Sequence, residues 1–311
     1  MKEIRVLVLC SGRFAIPSVH QLMHAGMLAA IAVPAAADEI AEQCGEMLKG
    51  TAVPVLRVSP AGYEQELIKI IQKYKINTGL VLTFSHRLPA SVYSLPALGF
   101  YNFHPGPLPL YRGPDPIFQQ IKRMEAYAGI VIHTLDEHFD TGPVIIKEKI
   151  KIEPGDTYGL LTTKLATKAA AMLGVLIKML LLEINPPLKP QQAEESTYYK
   201  KHGAADVMIN WNKMSVEETV ALMNACNPWN KGALTRIKNM IVRLPEGKVV
   251  QMPENAAGKA GAIISIADNE LIIAALDNKA VAIPFLHLEE GFFNAGRLSE
   301  FGIRVGDCFE N

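Results

Sequence analysis

A mostly parallel α/β sheet followed by a small second domain of short strands is the architecture this sequence predicts, and three observations predict it. Short apolar runs at 4–9, 29–33, Val55–Val58 and 78–84 alternate with polar helical stretches. Alternation of this kind implies parallel strands joined by right-handed helical crossovers, a Rossmann-like arrangement. A polar, proline-rich stretch, INPPLKPQQAEESTYYKK, then breaks the pattern at 184–201. Beyond it, short strand-like segments separated by Gly, Pro, Asn and Asp point to a small β-barrel of OB-like type. The domain limits that follow are 1–183, a linker at 184–205, and 206–311.

Each element has its own reason. The run 4–9 is continuously apolar, as expected of a strand covered on both faces. Ser11-Gly12-Arg13 turns the chain into a helical segment with Pro17 in its first turns. A second strand at 29–33 precedes a helix at 38–49, and Val55–Val58 is the third strand. Ser59-Pro60 reads as an N-cap and first helical proline for a helix running to Tyr74. Residues 78–84 and 99–104 make the fourth and fifth strands, and 128–135 and 144–152 two more. The long apolar stretch 157–183 is interrupted by Lys164, Lys168 and Lys178, which marks a soluble helix rather than a membrane span, with Asp156 or Thr157 as its N-cap. In the second domain, Ser215 and Glu218 form a capping box for a helix at 216–226. Strands are expected at Ala233–Ile237, Met240–Leu244, 261–266, 270–275 and 280–284.

Composition narrows the function classes. With 311 residues and 49% apolar content the chain can bury a sizeable core. Its 31 basic and 31 acidic residues cancel, which argues against a broad, non-specific polyanion binder. Cys10, Cys44, Cys226 and Cys308 are scattered without paired spacing, so neither a disulfide framework nor a zinc motif is expected. The N-terminus lacks the pattern of a signal peptide, and a reduced, cytoplasmic location is the expectation.

Three polar residues carry the chemistry: Asn102 and His104 in FYNFHPGPLPLYRG, and Asp140 in DEHFDTGPVI. Asn102 and His104 share a strand face because alternate residues do, and they sit near the C-terminal end of the fifth strand, where parallel sheets bind ligands. An amide can hydrogen-bond a carbonyl oxygen, an imidazolium can stabilise an oxyanion, and a carboxylate can hold the imidazole and manage protons. Neither motif holds a serine or cysteine nucleophile, so direct attack of an amine on an acyl carbon is the simplest reaction. Taken alone, each motif is also compatible with a hydrogen-bonded strand end or an ordinary turn. His133 reads as a satisfied strand histidine.

The motifs together resemble the folate-dependent formyltransferase family. The resemblance rests on Asn102-x-His104, on Leu108-Pro109-Leu110-Tyr111-Arg112-Gly113, and on Asp140-Thr141-Gly142, in family order and spacing. It extends to Phe14-Ala15-Ile16-Pro17, to the 81–89 segment VLTFSHRLP, and beyond the linker to Ile209-Asn210-Trp211 and Asn227-Pro228-Trp229. It implies 10-formyltetrahydrofolate as co-substrate without a metal, and Asn102, His104 and Asp140 as the catalytic trio. It further implies a pterin pocket at Phe84, Ser85, His86, Arg87 and Leu88, closed by Leu135 and His138. Pro107, Leu108, Arg112 and Gly113 are implied to bind the acceptor.

The resemblance implies a primary amine as acceptor, with methionyl-tRNA the best single expectation because the C-terminal domain is retained. The segment 34–50, PAAADEIAEQCGEMLKG, carries Asp38, Glu39, Glu42 and Glu46 against one lysine, where the tRNA enzymes usually have a basic insertion. Phosphate is bound by Lys and Arg, so that segment favours a small-molecule or carrier-bound amine. Hydrolysis of the formyl donor and non-catalytic folate binding are the remaining alternatives, and the oligomeric state stays open.

Overall fold

The computed structural model describes residues 3–253, 258–267, 269–276 and 278–310. They fall into two units. The first takes the chain up to Pro116 with Tyr127–Lys151 and Thr162–Tyr199; the second takes Ile117–Ala126, Ile152–Leu161 and the chain from Lys200 onward. The stretch expected as a linker is thus divided, its 184–199 part packing with the first unit.

The first unit is built on a seven-stranded sheet: β1 (Val6–Cys10), β2 (Leu28–Pro34), β3 (Val55–Val58), β4 (Thr78–Leu82), β5 (Phe100–His104), β6 (Tyr127–Thr134) and β7 (Val144–Lys151), in the order β3-β2-β1-β4-β5-β6-β7. β1 to β5 pair in parallel, and β6 and β7 add antiparallel partners at one edge. Every residue of β1 and β4 is buried, which is what a run of uninterrupted apolar residues requires. The first two crossovers carry α1 (Ile16–His24), preceded by a 3-10 turn, and α2 (Asp38–Met47).

The third crossover helix, α3 (Tyr63–Lys73), starts later than the Ser59-Pro60 signal predicts. The Ser59 hydroxyl accepts from the Ala61 N–H at 3.4 Å and the Ser59 N–H donates to Glu66 at 3.1 Å. Those bonds close a turn instead of a helix, and Gly62 redirects the chain at φ 145°. A single turn, α4 (Ala90–Tyr93), and the short α5 (Pro116–Lys122) follow. In α6 (Tyr158–Leu181) the stripe Leu165, Ala169, Met172, Leu173, Leu176 and Leu180 is buried while Lys164 and Lys178 are exposed. The Thr157 hydroxyl accepts from the Leu160 N–H at 3.2 Å and so provides its cap.

The second unit holds α7 (Val216–Ala225), opened by the Ser215/Glu218 capping box, and two four-stranded antiparallel sheets. Their strands are β8 (Ala233–Ile237), β9 (Met240–Leu244), β10 (Lys248–Gln251), β11 (Ile263–Ala267), β12 (Glu270–Ala274), β13 (Lys279–Ile283), β14 (Phe285–Leu288) and β15 (Gly291–Asn294), ordered β10-β13-β12-β11 and β15-β14-β9-β8. The chain passes from one sheet to the other at Pro284, between β13 and β14. Three strands escape the sequence reading. β10 is short and mostly exposed, β14 is hidden behind the proline that reads as a strand end, and β15 exposes half its residues.

Candidate active site

Strand alternation places Tyr101 and Phe103 in the core, 5% and 1% exposed, and turns Asn102 and His104 to the opposite face of β5. The antiparallel register of β6 sets His133 directly across from Asn102. Asp140, from the turn between β6 and β7, completes the group. It adopts φ 60°, a left-handed conformation that Asp tolerates better than most residues.

The hydrogen bonds fix the direction of each group. The His133 Nδ1 donates to the Thr134 carbonyl at 2.7 Å. Its Nε2 is then the acceptor, and it takes a hydrogen bond from the Asn102 Nδ2 at 3.0 Å. That orients the amide, whose Nδ2 also approaches the Asp140 Oδ1 at 3.3 Å. The other carboxylate oxygen accepts from the Gly113 N–H at 2.9 Å. The His104 Nε2 donates to the Tyr111 carbonyl at 2.8 Å, while Nδ1 faces the Asp140 Oδ1 at 3.4 Å. Only glycine serves at position 113: φ is 112°, and a Cβ there would come within 2.1 Å of the Tyr199 carbonyl oxygen.

Electrostatics follow from burial and these contacts. Burial alone would lower the His104 pKa. The charge and hydrogen bond of Asp140, together with the Tyr111 carbonyl, overcome it and hold the imidazole above its ordinary 6.5. Burial pushes Asp140 up, but His104 and the Gly113 N–H bring it down to about 2. The contacts thus favour the charged forms of both partners, an imidazolium beside a carboxylate. His133 goes the other way: burial lowers it to about 4 and outweighs the Asp140 charge, 3.9 Å away.

A pH dependence of stability follows. His133 is neutral in the folded protein and has an ordinary value near 6.5 when unfolded, so stability falls as pH drops from 6.5 toward 4, by about 3 kcal/mol. Asp140, depressed to about 2, contributes its loss only below its unfolded value of about 3.9. The raised His104 contributes fully below 6.5 and loses that contribution only as pH rises through its folded pKa. Urea unfolding of wild type and His133→Gln at pH 7 and pH 4.5 should show the extra acid loss in wild type alone. Equal losses in both proteins would contradict it.

The trio opens on a cavity of ≈ 410 Å³ outside the C-terminal end of β5. Phe84, Ser85, His86, Arg87 and Leu88 line it from one side, and Leu135 and His138 from the other. The His86 ring stacks on Tyr63, centroids 5.0 Å apart, and stands edge-on to Phe84. The Arg87 Nη1 donates to the Glu137 carbonyl at 2.6 Å and so pins the facing loop. Ser11 also lines the cavity and donates to the Thr83 carbonyl.

Of the four residues expected at the acceptor side, the structure brings only Gly113 to the cavity. Leu108 is 1% exposed and packed in the core. Pro107 lies against Gly129, where a Cβ would come within 2.4 Å of it. Arg112 turns its guanidinium to Gln191, Nη2 to Oε1 2.8 Å. None of these three lines the cavity; Arg112 alone bears on the site, through Gln191. His133 is the satisfied strand histidine the sequence suggests, with both ring nitrogens bonded, but its tie to Asn102 is not foreseen, and Gln191 is missed altogether. Only the strand register and the fold of 184–199 reveal them, and neither carries a local sequence signal.

The formyl transferase family model matches residues 6–176, and the model of the formyl transferase C-terminal domain matches 202–292. The chain belongs to the formyl transferase family. It is 30% identical over 238 residues to a methionyl-tRNA formyltransferase of Staphylococcus aureus, covering 76% of this chain and 74% of that one. Among solved structures, HypX from Aquifex aeolicus with tetrahydrofolic acid superposes with a TM-score of 0.68 at 18% identity, covering 98% of this chain. This chain spans 48% of HypX. An N-formyltransferase from Helicobacter canadensis, solved with folinic acid and dTDP-3-aminofucose, superposes with a TM-score of 0.66 at 14% identity, covering 90% of this chain and 98% of that one. The solved structures establish the fold, and the family models with the Staphylococcus relative establish the formyltransferase class.

Proposed function

We propose that the protein transfers the formyl group of 10-formyltetrahydrofolate to a primary amine, with methionyl-tRNA as acceptor. The observation that carries the reaction is the convergence of an oriented amide, an imidazolium and a carboxylate at one cavity wall. The cavity suits a pterin: its sides include Val81, Phe84, Leu88 and Leu135, and the His86 Nε2 is buried without a hydrogen-bond partner. A flat, polar-edged heterocycle would cover such walls and supply that partner.

When bound, the co-substrate supplies a formyl carbon already activated on nitrogen. Asn102 donates to the formyl oxygen with the N–H that spans the longer, 3.3 Å gap to Asp140; the other N–H stays on His133. His104 has both ring nitrogens on acceptors, so its contribution to the developing oxyanion is its positive charge. As the amine nitrogen bonds to the carbon and the bond to folate nitrogen breaks, the amine gives up one proton. Asp140 relays it toward the departing nitrogen; with a pKa of about 2 it does not keep it.

The tRNA acceptor is supported by the match of the C-terminal domain model and by the Staphylococcus relative. A second reading, a small-molecule or carrier-bound amine such as an amino sugar, is favoured by the acidic α2. Asp38 and Glu39 there already neutralise Arg57 and Arg13, leaving little positive charge for phosphate. Incubation of the protein with 10-formyltetrahydrofolate and methionyl-tRNA, a nucleotide-linked amino sugar, or no acceptor decides between them by mass spectrometry. Formylmethionyl-tRNA with a steep salt dependence is the expected product. A formylated sugar alone replaces the acceptor, formate without acceptor makes the enzyme a hydrolase, and no turnover of any kind rejects the proposal.

A further inference from the structure

We infer that Gln191, clamped by Arg112, is the positioning residue that holds Asp140 in its working orientation. Asp140 sits at φ 60°, a conformation open to Asp at a modest cost that neighbouring contacts offset. Gln191 makes those contacts. Its Nε2 donates to the carbonyls of Asp140 at 2.9 Å and Gly142 at 2.8 Å, so the two ends of the turn are drawn to one amide. Arg112 donates to the Gln191 Oε1 from Nε at 3.3 Å and Nη2 at 2.8 Å. This fork fixes which way round the amide lies, since a flipped amide would set donor against donor.

The clamp belongs to a larger tie. Lys189 exchanges backbone hydrogen bonds with Val144, 2.8 and 2.9 Å, and so brings Gln191 alongside the turn that precedes β7. The turn 111–113 supplies the Tyr111 carbonyl to His104, the Arg112 side chain to Gln191 and the Gly113 N–H to Asp140. One three-residue turn therefore serves both members of the charged pair, and Gln191 locks the opposite end of the carboxylate's support. The groups that face His104 are Asp140, which favours its charge, Arg112, which opposes it, and His133, which is neutral. Loosening Asp140 shifts that balance against the imidazolium.

The test pairs two variants. Gln191→Met keeps length and neutrality but removes every hydrogen bond; Arg112→Lys keeps the charge near His104 but removes the fork. In histidine-labelled protein, with the His104 signal identified by its loss in His104→Asn, NMR titration should show the His104 pKa lower by about one unit in Gln191→Met. Arg112→Lys should move it the same way by less. Binding of 5-formyltetrahydrofolate should stay within about threefold of wild type, while turnover falls about 10- to 100-fold and its alkaline limb moves to lower pH. If Gln191→Met does not fold, Arg112→Lys carries the test. An unmoved His104 titration overturns the assignment, as does folate affinity falling in step with turnover. The turnover arm rests on the formyl-transfer reading, but the titration needs no acceptor, so an inactive wild type would sink that reading and leave this one open to its own measurement.

Discussion

Asp140→Asn is expected to lower turnover by about 10³–10⁴ while leaving folate binding nearly unchanged. The substitution is isosteric, so an oxygen remains to accept the Gly113 N–H, now bonded at 2.9 Å. What disappears is the charge. Without it, burial dominates the His104 pKa, and the imidazole becomes neutral at pH 7. The proposed mechanism needs the imidazolium, so wild-type activity should decline as pH rises through the raised His104 pKa. In Asp140→Asn that alkaline decline moves below 6.5, and the proton relay is lost at every pH. The measurement is turnover against pH with 5-formyltetrahydrofolate affinity as the control. Turnover within tenfold of wild type would remove Asp140 from the chemistry.

Asn102→Ala should cost about 10²–10³ in turnover, the usual consequence of deleting one oxyanion donor, and His104→Ala at least as much. The two differ in stability. Asn102→Ala leaves the His133 Nε2 without its donor, an unsatisfied buried group worth about 1–3 kcal/mol. His104→Ala leaves a carboxylate only 8% exposed without its cation, and breaking a buried pair costs about 3–5 kcal/mol. Thermal unfolding should therefore rank His104→Ala below Asn102→Ala, with folate affinity preserved in both. Near-normal turnover in either variant would reject the role assigned to that residue.

Much of this site is legible in the chain because it follows local rules. The two-residue period of a strand puts Asn102 and His104 on one face, and a strand after four βα units puts that face at a ligand-binding edge. What escapes local rules is everything that depends on pairing at a distance. The partnership of Asn102 with His133 is set by the register of β5 on β6. Arg112 beside Gly113 suggests an acceptor contact, yet its guanidinium bonds a glutamine 79 residues further on. Gln191 itself lies in a stretch whose prolines and charges suggest an exposed linker. Composition reports that such a segment forms no helix or strand; it cannot report that its backbone zips onto a catalytic turn.

That zipper bears on how the enzyme can be dissected. The Thr197 hydroxyl and carbonyl accept from the N–H groups of Tyr111 and Arg112, each at 2.9 Å, and the Tyr199 N–H returns a bond to the Arg112 carbonyl. A fragment ending at 183, where the helical pattern stops, would keep the whole sheet and still lack the bonds from Gln191, Thr197 and Tyr199 that shape its catalytic turn. Such a fragment should fold and bind folate weakly, but not turn over. The smallest fragment expected to turn over extends at least through Tyr199, the last residue of the first unit.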